Sequence, residues 1–258
     1  MRVKPLIGEL LGTCILCFIG CSSVALAVVF EIFSSIVPIA FIWGTGVTLA
    51  IYATKKYSNA HLNPAVSFGF FINHEINLKK LLSYWFAQLV GAVFAGLGVY
   101  LFFIREIKNF ELINNIIPND VSGARTASIF GEFFPNPGYI DKIHNLSELS
   151  ACMYECIGTF ILMTSILWFT KIKKTRKISP LLIGLTVVLL IIWIAPFTQC
   201  GINPARDLGP RLVAYYLHWG SGAFPSGQIS FLTVYILSPL TGAWLSALLF
   251  KKVIKLID

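Results

Sequence analysis

The triplet Asn-Pro-Ala stands twice in this chain, at Asn63-Pro64-Ala65 and at Asn203-Pro204-Ala205. Asparagine before proline is a strong helix start, because the amide caps free N–H groups and proline suits the first helical position. Each triplet follows a short loop, ending His61-Leu62 in the first case and Gly201-Ile202 in the second. Each also leads into an apolar run too short to cross a bilayer: residues 64–73 would rise roughly 15 Å as a helix, about half of a ~30 Å hydrocarbon core. Two half-helices of this kind in a very apolar chain read as a pore built from broken helices. Their N-termini carry roughly half a positive charge each and unpaired N–H donors, so a meeting pair opposes protons and other cations. The amides of Asn63 and Asn203 are then placed to donate to a passing oxygen. Arg206 directly follows the second triplet. A cation within a span costs ~2.5–3.5 kcal/mol on insertion scales, so Arg206 is expected to face water and donate to what passes. Glu9 and Glu155 are carboxylates near membrane depth, which demands partners or a proton-carrying role.

The elements that must hold these residues follow from composition. The chain has 258 residues, 56% hydrophobic and 12% charged, against about 25% charged in soluble domains. Apolar stretches near 6–30, 37–54, 82–104, 149–170, 179–197 and 229–250 are each about long enough to span. The expected fold is an all-α membrane protein of six transmembrane helices and two re-entrant half-helices, one domain over 1–258. The formal charge of +8 could suggest nucleic acid, but its placement points elsewhere. With both termini cytoplasmic, Arg2, Lys4, Lys55, Lys56, Lys79, Lys80, Lys171, Lys173, Lys174, Arg176, Lys177, Lys251, Lys252 and Lys255 fall on the cytoplasmic side. Only Arg105, Lys108, Arg125 and Lys142 fall outside, which is the positive-inside bias. The N-terminal run is too long for a signal peptide and lacks a small-residue cleavage site before a polar start. Cys14, Cys17, Cys21, Cys152 and Cys156 lie in predicted spans and read as packing thiols. His74, His144 and His218 show no metal-ligand spacing, no catalytic constellation appears, and neither a metal nor a cofactor is expected.

The chain also repeats itself. Glu-x-x-Gly-Thr occurs at Glu9 and again at Glu155, and Gln88-Leu89-Val90-Gly91-Ala92 is echoed by Pro239-Leu240-Thr241-Gly242-Ala243. With the two Asn-Pro-Ala triplets, these matches in the same order indicate an internal duplication. Each copy holds three spans, an odd number, so the second enters the membrane from the opposite side and the half-helix N-termini can meet at the midplane. The first copy covers about 1–104 and the second about 148–258. Between them lies a long external loop, about 105–147, with Pro118, Pro135 and Pro137. Asn145-Leu146-Ser147 matches a glycosylation triplet but reads as incidental at the start of span four, and the tail after Lys252 is too short to carry a function.

The duplicated Asn-Pro-Ala, the Glu-x-x-Gly-Thr openings and Asn203-Pro204-Ala205-Arg206 resemble the aquaporin (major intrinsic protein) family over essentially the whole chain. The resemblance implies that the carbonyls of Asn59, Ala60, His61 and Leu62, and of Gln199, Cys200, Gly201 and Ile202, form a ladder of acceptors. Asn59 stands where many relatives have glycine, and His61 is expected to offer its carbonyl rather than act as a titrating gate. Glu9 and Glu155 would hold the N–H groups of the re-entrant loops. Arg206 would anchor an external constriction with Trp43, Ile191 and Cys200. Tryptophan at Trp43, twenty residues before Asn63, resembles glycerol-conducting members, where water-selective members commonly carry Phe and have His at the Ile191 position. Ile191 and Cys200 depart from the bacterial glycerol facilitator, which typically has Gly and Phe, and look closer to mixed-selectivity members. Asp207, Arg211, Pro239 and Leu240 resemble the glycerol branch as structural markers that do not touch solute. Cys200 coincides with the family's mercury-sensitive position.

The function implied is a passive channel for glycerol, other small uncharged solutes and water that excludes protons and ions, in a homotetramer within the plasma (inner) membrane. Urea and metalloid acids stay open as further solutes. A water-selective channel and a proton-coupled secondary transporter remain the alternatives; the latter would need Glu9 and Glu155 as its relay.

Overall fold

The computed structural model describes residues 3–143, 145–224 and 228–257, with side chains left undescribed at 228 and 252–257. Arg2 and His144, and the side chains of Lys252 and Lys255, therefore lie outside the described residues. Among the described residues, six helices are long and apolar enough to cross a membrane. They are α1 (Val3–Val29), α2 (Ile36–Thr54), α4 (Leu78–Ile113), α6 (Glu148–Lys171), α7 (Ser179–Thr198) and the last span, Ile229–Lys251, formed by α9 (Gln228–Phe231), a π-helical stretch and α10 (Ser238–Ile257). Between them stand two short helices, α3 (Pro64–Ile72) and α8 (Pro204–Ala214), and a single turn, α5 (Ala124–Ala127).

Local chemistry sets the ends. Asn77 caps α4 by accepting from Lys80 N at 2.9 Å, and Ser147 caps α6 by accepting from Ser150 N at 3.1 Å. The Ser147 hydroxyl of the glycosylation-like triplet is thus engaged at a helix start. Pro239 has no N–H to give the carbonyl one turn back. The preceding segment Leu232–Leu237 opens into a π-helix, and the Ser238 hydroxyl donates to Thr233 O at 2.7 Å.

The packing has a two-fold pattern. Helix α1 lies against α4 as α6 lies against α10, and α2 crosses α7 between the halves. Helix α3 contacts α10, and α8 contacts α4, so each half-helix leans on the last span of the other half. At the α1–α4 crossing, a Cβ on Gly91 would sit 2.2 Å from Leu10 O; at the α6–α10 crossing, one on Gly242 would sit 2.1 Å from Cys156 O. Only glycine permits backbones this close.

The segment expected to be one long external loop is more ordered than its prolines suggest. Helix α4 runs on to Ile113, because residues 105–113 bury Ile107, Phe110 and Glu111 on one face. Beyond it, α5 and residues 129–136 fold inward and are mostly buried. Thr126 donates to Glu111 Oε1 at 2.6 Å, and Trp219 donates to Thr126 at 2.9 Å, fixing this segment to the exit of α8.

Candidate functional site

The two re-entrant loops cannot form helix or strand. Ala60 and Leu62 on one side, and Gln199, Cys200 and Ile202 on the other, have positive φ between 39° and 68°. Non-glycine residues held there cost of order 1–3 kcal/mol each and need outside support. Two buried carboxylates supply it. Glu9 accepts from His61 N at 3.0 Å and Leu62 N at 2.7 Å, and Gln88 donates to it at 2.8 Å. Glu155 accepts from Gly201 N at 2.9 Å, Ile202 N at 2.6 Å and the Thr198 hydroxyl at 2.6 Å. Both are fully buried and lie outside the cavity lining.

The half-helices start where the triplets place them. Asn63 Oδ1 accepts from Ala65 N at 2.8 Å, and Asn203 Oδ1 accepts from Ala205 N at 3.2 Å and Arg206 N at 3.3 Å. The amide nitrogens then reach across. Asn63 Nδ2 donates to Ile202 O, and Asn203 Nδ2 donates to Leu62 O, both at 2.9 Å. Each amide therefore gives one N–H to the opposite loop and keeps one for the passing oxygen that the sequence suggested. The carbonyls of Leu62 and Ile202 have partners for the same reason.

One continuous cavity of about 980 Å³ runs past both loops. Asn59, Ala60, His61, Leu62 and Asn63 line it from one side, and Gln199, Cys200, Gly201, Ile202 and Asn203 from the other. Trp43, Ile191, Cys200 and Arg206 are all among its lining residues. Pro64, Ala65, Pro204 and Ala205 lie behind the lining, as do Asp207, Arg211, Pro239 and Leu240. Trp43 is seated against α1 at Gly20, where a Cβ would come within 2.2 Å of its indole. His61 stacks on Phe70 with centroids 4.4 Å apart, and its Nδ1 meets Ser67 Oγ at 3.1 Å, while Nε2 has no protein partner.

Arg206 is less free than its position in the sequence implies. It is 5% exposed, its guanidinium lies 4.3 Å over the Trp43 ring, and Nη2 contacts the Glu132 carboxylate. The reason is burial: a guanidinium this enclosed needs a counter-ion. Nη1 is buried and has no protein hydrogen-bond partner, so at least one donor of the guanidinium is left unsatisfied by the protein.

Glu132, 1% exposed and lining the cavity, is the residue the sequence reading missed. Its backbone is gripped from both ends. Asp207 Oδ1 accepts from Glu132 N at 2.7 Å, and Arg211 Nη2 donates to Glu132 O at 2.5 Å. Arg211 also donates to Asp207 at 2.7 and 3.1 Å, and Phe133, Phe224, Phe231 and Tyr235 surround it at 5.0–5.7 Å. Gly131 makes room, since a Cβ there would lie 2.6 Å from Arg211 Cζ. Phe133 N donates to Gln199 Oε1 at 2.7 Å, and Asn136 Nδ2 donates to Ala195 O at 2.6 Å. The i,i+4 pair Asp207–Arg211 thus fastens the external segment to α8. Burial among these walls raises the Glu132 carboxyl above the usual range, against the pull of Arg206. The signal for Glu132 was present: a lone carboxylate inside Ile129-Phe130-Gly131-Glu132-Phe133-Phe134.

Together these features define a membrane-embedded conduit threaded between two opposed half-helices. The family model for the major intrinsic proteins matches residues 1–250. A glycerol uptake facilitator protein of Haemophilus influenzae is 34% identical over 252 residues, covering 96% of this chain and 92% of the relative. One from Pseudomonas aeruginosa is 36% identical over 245 residues, covering 93% and 85%. Among solved structures, the aquaglyceroporin from Plasmodium falciparum superposes with a TM-score of 0.81 at 26% identity, covering 98% of this chain and 96% of that one. The chain belongs to the major intrinsic protein family, and it is an integral membrane protein.

Proposed function

We propose that this protein is a passive channel for glycerol and other small uncharged solutes, together with water. The observation that carries the reading is the lining around Arg206. Apolar Trp43 and Ile191 line one cavity with Arg206, whose Nη1 has no protein partner, and with the loop residues 59–61 and 199–201. A polyol offers carbon on one side and hydroxyls on the other, and such a wall takes both without a charged ligand. Trp43, Ile191, Cys200 and Arg206 form the constriction in this reading, with Glu132 as a fifth member. The carbonyls of residues 59–61 and 199–201 receive hydroxyl protons, and the spare N–H of Asn63 and Asn203 turns each passing oxygen at the junction. The two half-helix N-termini there oppose protons. Relatives of 34% and 36% identity named glycerol uptake facilitators support the same solute class.

Proton-coupled transport is disfavoured by the engagement of Glu9 and Glu155, whose oxygens are held by loop N–H groups away from the cavity. The basic loops support termini on the cytoplasmic side; in this reading the membrane is the inner membrane, the whole chain acts as one domain of two inverted copies, and four copies associate with one conduit each. The test is stopped-flow light scattering on proteoliposomes, comparing shrinkage under an impermeant osmolyte with re-swelling under glycerol. Fast water and fast glycerol flux, unchanged by a protonophore, are expected. Fast water with glycerol at the lipid background would establish a water-selective channel instead.

A further inference from the structure

The inner mouth of the cavity carries charge that passage of a neutral solute does not use. Lys55 and Lys56 beyond α2, Lys171 at the end of α6 and Arg176 in the link to α7 line it, with Glu75 beyond α3 the one carboxylate among the described lining residues there. Insertion topology explains basic loops on one side of a membrane. It asks only that charges lie near span ends, not that they face a pore. Of the five basic residues between 171 and 177, Lys171 and Arg176 line the cavity, whereas Lys173, Lys174 and Lys177 do not.

The link is a built turn. Arg176 N donates to Ile172 O, the Thr175 hydroxyl to Phe169 O and the Ser179 hydroxyl to Arg176 O, each at 3.0 Å. Lys171 is held by Glu75 at 2.9 Å and lies 5.5 Å from the Phe250 ring, and Lys55 lies 4.3 Å over the Tyr52 ring. Lys56 and Arg176 have no ion pair among the described residues. Four cations thus face one carboxylate in a concave, apolar-walled mouth, a shape that focuses positive potential. Thr170 and Ser179 line the same region; their hydroxyl protons go to Ile166 O and Arg176 O, which leaves their oxygens as acceptors.

We propose that this mouth binds a small phosphate monoester, the phosphorylated form of a polyol the channel conducts, and that its occupancy slows flux; the inference rests on the polyol-channel reading above. A phosphate monoester brings about −1.5 to −2 charges and several acceptor oxygens, matched to Arg176 and the lysines. The polyol portion meets Thr170 and Ser179. Deeper in, Val66, Phe70 and Ile183 line the wall, and a dianion shedding water there is halted.

The experiment measures glycerol flux in proteoliposomes loaded and bathed with glycerol 3-phosphate, so that both insertion orientations meet the ester, at ionic strength held constant with chloride. A severalfold fall in glycerol flux is expected for the native chain. It should vanish in the double variant Lys56→Gln, Arg176→Gln, whose flux without ester stays native. Native flux indifferent to the ester, or a block equally strong in the double variant, overturns the proposal. Baseline glycerol flux, read in the same run, tests the channel reading separately. Vesicles of phosphatidylcholine alone and with phosphatidylglycerol separate the two phosphate sources. A block in both compositions assigns the site to the free ester. Flux already slowed by phosphatidylglycerol, restored in the double variant and insensitive to added ester, overturns the ester in favour of a lipid headgroup.

Discussion

At the scale of single residues, Arg206 shows how burial redirects a side chain. Its guanidinium lies on a tryptophan face and against the Glu132 carboxylate, and Nη1 keeps no protein partner. Burial pushes the Glu132 carboxyl up to about 8. Above that pH the pair is fully charged; as pH falls through it, the carboxyl takes a proton and Arg206 loses its counter-ion. The ratio of water to glycerol flux should therefore shift between pH 9 and pH 6.5 in the native channel. In Glu132→Gln it should stay flat, at the native low-pH value. A native ratio that does not move with pH would remove Glu132 from the constriction. Cys200 is a free thiol lining the same cavity. Mercurials should block both fluxes, and Cys200→Ser should abolish the block while leaving the ratio nearly native; a block that persists would place the reactive thiol elsewhere.

At the scale of elements, the loops depend on groups far from them in sequence. Glu155→Gln keeps the shape but exchanges one acceptor oxygen for a donor, facing loop N–H groups that need acceptors. Hydrogen bonds to a charged group contribute about 1.5–3 kcal/mol each, so a loss of about 2 kcal/mol is expected in denaturant unfolding of the detergent-solubilised protein, with slower flux. Gly20→Ala acts through α1 on Trp43: the added methyl must displace the indole, and overpacking costs about 1–3 kcal/mol. Glycerol flux should fall more than water flux, because the larger solute feels the displaced wall first. Equal losses in both would point to general misfolding. The elements themselves were largely legible. The expected limits of the spans differ from the helices by a few residues at most ends, since apolar length and capping chemistry are local properties. The extension of α4 to Ile113 was not, because its buried face, Ile107 and Phe110, is covered by a segment whose inward fold no local pattern announces.

At the scale of the whole molecule, the legible and illegible parts divide by contact distance. The two triplets and the paired glutamates repeat, so the opposition of α3 and α8 could be read from symmetry. Glu132 has no repeat counterpart, and its partners Asp207 and Arg211 lie 75 and 79 residues further along the chain; only three-dimensional packing joins them. Both halves of the chain contribute to the cavity lining, so each copy is expected to carry its own conduit. Native mass spectrometry from mild detergent is expected to show four copies. Active monomers without tetramers would end the oligomer reading and leave the conduit untouched.

The crossed amides of Asn63 and Asn203 have a consequence for biosynthesis. While only the first half has left the ribosome, the Leu62 carbonyl lacks its donor and the Asn63 amide its acceptor, at a depth where water is scarce. The first half must wait in an unfinished state until residue 203 arrives, and the last knot to be tied joins the two halves where the half-helices meet. A chain truncated before Asn203 is thus an orphan that quality-control proteases should recognise, even though five spans are already in place.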